Sequence, residues 1–149
     1  MSEIISNTDQ CHNACKPMLA NRLFKFNLWD IERQQYFRDV LSLENDKITK
    51  WATLEKRTSN NVKWLQFTGF TDKKEVEIYE GDICKYHKST SKWLVSYHFE
   101  VRFKNGAFYA YWEREMMGKH EEHWDLLSQK DMRNIRVVSN IFQSTQTTS

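Results

Sequence analysis

His98-Phe99-Glu100-Val101-Arg102-Phe103-Lys104-Asn105-Gly106-Ala107-Phe108-Tyr109-Ala110-Tyr111-Trp112 decides how this chain folds. Up to Lys104 every second residue is apolar, the period of a strand with one buried face. Asn-Gly then supplies two positive φ angles in succession. These are the angles of a type I′ turn, whose twist matches that of the strands it joins. A two-residue hairpin follows, and its register places Phe103 opposite Phe108, Val101 opposite Ala110 and Phe99 opposite Trp112. All six belong to the core face. The other face carries Arg102 opposite Tyr109 and Glu100 opposite Tyr111, flanked by His98 and Lys104, so both tyrosines point away from the core.

Backwards from Phe99 the same parity runs through Tyr97, Val95 and Trp93, which predicts one strand from Lys92 to Lys104. Strands of that length bend, and small antiparallel barrels use bent strands to close their edges. Phe24, Phe26 and Leu28 alternate with Lys25, Asn27 and Trp29 as a first strand. Tyr36 to Leu43 and Ile48 to Leu54 are β-prone but less regular, and Val62 to Phe67 reads as a strand ending at Thr68-Gly69. The four glycines, Gly69, Gly81, Gly106 and Gly118, each fall at a predicted break. The second defining turn is Tyr79-Glu80-Gly81-Asp82, where Gly81 turns the chain and the Asp82 carboxylate accepts a nearby backbone N–H before the strand that starts with Ile83. One short helix is expected, His120 to Ser128, with Trp124 and Leu127 on a common face. The fold class is mainly β, a small barrel or roll of bent antiparallel strands with little helix.

At 149 residues the chain has the size of one domain. Six Trp, six Tyr and nine Phe provide large rings for its core. Residues 22–142 are taken as that domain, 1–21 as a disordered leader rich in Ser, Asn, Thr and Asp, and 143–149 as a disordered tail. A net charge of +2 excludes global attraction to nucleic acid or an anionic membrane. With no apolar run of membrane-spanning length and no signal-peptide pattern, a cytoplasmic location is expected. Cys11, Cys15 and Cys84 are an odd number without an export signal, so reduced thiols are expected. Cys11-His12-Asn13-Ala14-Cys15 lacks the second ligand pair of a structural zinc site.

Several segments together resemble the YopX protein family: Phe24-Lys25-Phe26-Asn27-Leu28-Trp29-Asp30, Gln66-Phe67-Thr68-Gly69-Phe70-Thr71-Asp72-Lys73, Glu77-Ile78-Tyr79-Glu80-Gly81-Asp82-Ile83, Phe103-Lys104-Asn105-Gly106-Ala107-Phe108 and Val137-Val138-Ser139-Asn140-Ile141-Phe142. The resemblance implies a protein of phage or prophage type and an SH3-like barrel or roll. It implies no particular activity. The chain departs from the family at Lys74-Glu75, where Asn-Gly is common and a type I′ turn is therefore not expected here. It departs again at Ser139, where Gly is usual, and at Ser144-Thr145-Gln146, where the family ends in Asn-Pro-Glu.

Catalytic and metal chemistry find little footing. Glu80 and Asp82 as an acid/base pair would need a pocket and a perturbed pKa. His120 and His123 sit three apart and would share a helix face, but not with metalloprotease spacing. Cys84 occupies a strand position that packs, as a buried inert thiol. No phosphate loop or nucleophile elbow occurs, and no enzyme, metal or cofactor is expected. From Lys85 to Lys104, five basic residues stand against one acid. Lys92, Arg102 and Lys104 beside Tyr109 and Tyr111 therefore form a candidate binding surface. Interaction with a host or phage protein is the preferred expectation, since aromatic residues are enriched in interface cores. Single-stranded nucleic acid, with rings stacking on bases, is the alternative. The competing account pairs the tyrosines with Arg102 and Glu100, or lays another segment over them.

Overall fold

A computed structural model describes residues 23–45, 47–51 and 59–143. The predicted leader, most of the tail and residues 52–54 of the expected second β-prone run lie outside these. Ten strands make two antiparallel five-stranded sheets among the described residues. The first holds β1 (Leu23–Asp30), β2 (Gln35–Glu44), β3 (Lys47–Trp51), β4 (Val62–Thr71) and β5 (Glu77–Tyr79), in the order β3-β2-β1-β4-β5. The second holds β6 (Asp82–Ser89), β7 (Leu94–Lys104), β8 (Ala107–Met116), β9 (Lys119–Leu126) and β10 (Ile135–Asn140), in the order β10-β6-β7-β8-β9. A short 3-10 helix, Gln129–Asn134, leads into β10. No helix among the described residues is long and apolar enough to cross a membrane.

The Asn105-Gly106 turn forms as expected, with φ angles of 50° and 82°. Phe103 lies opposite Phe108, Val101 opposite Ala110, Arg102 opposite Tyr109 and Glu100 opposite Tyr111. Val101, Phe99 and Ala110 join Ile78, Cys84, Leu127, Met132 and Ile135 in the main core cluster. Phe103, at the turn end of the same face, remains half exposed.

Tyr79-Glu80-Gly81-Asp82 carries the chain from one sheet to the other, since β5 ends the first sheet and β6 belongs to the second. Its backbone is held on three sides: Glu80 N donates to Gln66 O at 2.9 Å, Gly81 N to Val101 O at 2.8 Å, and Ile141 N to Gly81 O at 2.9 Å. Asp82 Oδ2 accepts the Tyr79 N–H at 2.9 Å, the bond foreseen for that carboxylate. Gly81 has φ +86°, and a Cβ there would meet the Phe142 ring at 2.8 Å. Phe142 in turn stacks on Trp29 at 5.2 Å. The turn is thus the junction where both sheets and the last described segment meet. A second junction is the buried Asp72, whose carboxylate accepts from Lys74 N, Val76 N and, across the sheets, Val137 N. The Lys74-Glu75 turn beside it has positive φ at Glu75 but not at Lys74, so it is not type I′.

Three local expectations are corrected. The helix predicted from His120 to Ser128 does not form: up to Leu126 it is strand β9, paired with β8 through a turn at Met117-Gly118 with φ 54° and 72°, and Leu127-Ser128 lead into the 3-10 helix. The two positive angles are those of another type I′ turn. Methionine carries no turn preference, which left this hairpin illegible. Gly69 does not end its strand: β4 runs through it to Thr71, with a register shift against β5. The alternation of β1 also breaks. Asn27, Leu28, Trp29 and Asp30 are all buried: the register against β2 shifts between Phe26 and Leu28, Phe142 stacks on Trp29, and Ser59 donates its N–H and hydroxyl to Asp30. Asp39, at φ 52° in that irregularity, donates its N–H to Asn27 Oδ1 at 2.7 Å.

Candidate functional site

The predicted basic and aromatic surface is only partly assembled. Arg102 and Lys104 stand together at the far end of β7, whereas Lys92 lies in the turn before its start. The strand residues Leu94 to Val101 lie between them, about 26 Å at 3.3 Å per residue. Tyr109 and Tyr111 do lie on the face away from the main core, yet β9 brings Trp124 over them, with ring centroids 6.1 and 4.6 Å away. Tyr111 is only 6% exposed. Its hydroxyl donates to Glu113 and to Glu122 at 3.1 Å. The bond to Glu113, burial and the bond to Glu122 push the phenol up to about 12. The Arg102 guanidinium packs 3.6 Å from the Tyr111 ring centre and pairs with Glu100 at 2.9 Å. Lys104 Nζ sits 4.5 Å from the Trp124 ring centre. These charges are therefore engaged within the sheet, as the cross-strand account anticipates.

A different surface, not foreseen, is more open. Where β7 continues past the core toward the Thr90–Trp93 turn, the core face of the second sheet becomes the floor of a cleft of about 630 Å³. Tyr86 and Tyr97 stack across β6 and β7 at 5.2 Å, and Trp112 continues the row at 4.6 Å from Tyr97. Trp93, 70% exposed, stands at its mouth. The turn that carries it is fixed by Thr90, whose N–H donates to Trp93 O at 2.9 Å and whose hydroxyl accepts from Trp93 N at 3.1 Å. Asp125 and Asp131 stand on the opposite wall and Lys88 on the near rim. Burial, followed by the charge of Asp125, pushes the Tyr97 phenol up to about 12. The sequence did signal part of this surface: Tyr97, Val95 and Trp93 share the core parity of β7, but nothing in one sequence says that the core stops before reaching them.

The titratable groups singled out from the sequence separate in space. Glu80 borders a depression with Arg102 and Trp124, whereas Asp82 borders one with Arg38 and Ser139, so the two do not form a pair. Asp82 is strongly perturbed: burial outweighs the Tyr79 N–H and the Arg38 charge and raises its carboxyl to about 7. Cys84 is fully buried, and burial with the charges of Asp82 and Asp72 pushes its thiol well up. His120 and His123 point to opposite faces of β9, as residues three apart on a strand must. His123 stacks on Trp112 at 4.9 Å, while His120 Nε2 lies 3.6 Å from Glu113. Glu113, His120 and Glu122 present ligand atoms within 4.8 Å of one another on the exposed face of the β8–β9 hairpin. One imidazole and two carboxylates are a donor set that zinc accepts. The trio follows from the register that the Met117-Gly118 turn imposes.

A family model described as YopX protein matches residues 21–147. The crystal structure of protein EF1440 from Enterococcus faecalis is similar at 17% sequence identity with a TM-score of 0.46, over 85% of this chain and 98% of that one. No curated protein matches the chain.

Proposed function

The chain belongs to the YopX protein family, and from that premise we propose that it is a non-catalytic protein-interaction module of phage or prophage type, acting in the cytoplasm on a host or phage protein. Its two sheets are read as an SH3-like roll whose working surface is the aromatic cleft of the second sheet. The observation that carries this reading is the combination of a preformed apolar floor with Trp93 held out at its mouth. Clefts that take a partner's anchor side chains are lined mainly by apolar and aromatic groups with a few placed polar ones.

The alternative, single-stranded nucleic acid, needs free rings and free cations side by side. Tyr111 is covered and Arg102 is paired, so the surface from which that reading started favours it less. Affinity capture from host and phage-infected lysates, run in parallel with a Val95→Asp variant, tests the proposal. A partner retained by the native protein and lost with the variant is the expected result. Capture insensitive to Val95→Asp, or salt-sensitive binding of oligonucleotides that survives it, would overturn the assignment of the cleft.

A further inference from the structure

Asp125 lies opposite Ala110 in the β8–β9 ladder, so its carboxylate shares the core face of the sheet. The same face of β9 also carries Glu121 and His123, but within the cleft Asp125 stands among Phe99, Ala110 and Leu127. It has no hydrogen bond or ion pair among the described residues, and it stands on the wall of the aromatic cleft. Asp131, from the 3-10 helix, is the second carboxylate of that wall. Its Oδ2 accepts from Ser128 Oγ at 2.6 Å, which leaves its other oxygen available. Facing them are the Tyr86 and Tyr97 rings, with Trp93 at the mouth. Among the described residues the one cation in the lining, Lys88, is exposed on the rim.

Ring faces carry negative potential, and a cation between rings and a carboxylate gains from both. An apolar side chain entering the same cleft would leave Asp125 facing it without a partner, which is costly once water is excluded. We infer that the cleft recognises a basic side chain, arginine or lysine, presented by an otherwise apolar segment of the partner protein. This deepens the proposed function and rests on it. The alkyl stem lies along Tyr86 and Tyr97, the charged head reaches Asp125 and Asp131, and flanking apolar residues cover Trp93 and Val95.

The test uses three capped peptides, acetyl-Leu-X-Leu-amide, in which X is arginine, its neutral isostere citrulline, or glutamate, titrated into the full chain with tryptophan fluorescence and calorimetric readouts. Arginine is expected to bind about tenfold more tightly than citrulline, a difference of about 1.4 kcal/mol, and glutamate more weakly than either. Asp125→Asn should bring arginine and citrulline within about twofold of each other. Lys88→Ala should tighten the arginine peptide a few-fold, because it removes the opposing charge. Trp93→Ala should weaken arginine and citrulline peptides alike. Asp125, Lys88 and Trp93 are all exposed, so these variants are expected to retain the fold, which circular dichroism checks. Equal binding of arginine and citrulline peptides by the native protein would overturn the charge recognition while leaving the cleft as an interaction site. Binding of none of the three at millimolar concentration would overturn both.

Discussion

Asp82→Asn isolates the energetic consequence of placing a carboxylate at the crossing between the sheets. The group is 6% exposed and accepts one backbone N–H, from Tyr79. Its carboxyl titrates at about 7 in the folded chain against 3.8 ordinarily. A raised acid pKa means that the folded state holds its proton more tightly than the unfolded state. Between roughly pH 4 and 7 the folded protein therefore binds more protons, and its stability falls as pH rises. Below about pH 4 both states are protonated and nothing is lost; above about pH 7 the full difference is lost. At about 1.36 kcal/mol per unit, the cost is about 1 kcal/mol at pH 4.5 and about 4 kcal/mol at pH 8. Asparagine stays neutral and keeps a carbonyl oxygen for the Tyr79 N–H, so its curve lacks this slope. Urea unfolding of both proteins at half-unit steps from pH 4.5 to 8 gives the difference directly. The variant should gain about 3 kcal/mol relative to the native chain across that range, or about 2 M in midpoint at an m-value of about 1.5 kcal/mol/M. Any constant offset from burying the amide N–H₂ does not affect the slope. Parallel curves would show that Asp82 titrates as an ordinary carboxylate and would refute the burial reasoning.

Gly81→Ala should destabilise by about 2–4 kcal/mol, from a strained positive φ and a methyl placed against Phe142, whereas Gly106→Ala, with open space around its Cβ, should cost only about 1–2 kcal/mol. Equal losses in thermal unfolding would mean that Phe142 does not press on the crossing. Asp72→Ala removes the acceptor of three backbone N–H groups, and should cost about 3–5 kcal/mol, a Tm drop on the order of 15 °C. A drop of less than about 4 °C would deny it the role of clamp between the sheets. Met117→Asn puts a residue that tolerates positive φ into the β8–β9 turn and should raise stability by about 0.5–1 kcal/mol, with a higher urea midpoint as the readout. A lower midpoint would contradict the type I′ assignment there.

Sequence alone determined the features that depend on near neighbours. Asn105-Gly106 needs no tertiary partner to favour a type I′ turn, and once it forms, the pairings of Arg102 with Tyr109 and Glu100 with Tyr111 follow by counting. The hydrogen bond from Tyr79 to Asp82 is local in the same way, as is the burial of Cys84 in an alternating strand. Only the tertiary structure decided what covers each face. Met117-Gly118 gave no turn signal, so β9 read as a helix, and with it went Trp124 over Tyr111, the Glu113–His120–Glu122 cluster and Asp125 on the cleft wall. The parity of Trp93, Val95 and Tyr97 was legible, but whether that parity meets a second layer or solvent depends on where the 3-10 helix and the first sheet's β4 and β5 stop covering the sheet. Turns and strand parity are properties of a few consecutive residues. A cleft is set by what packs across the sheet from segments far away in the chain.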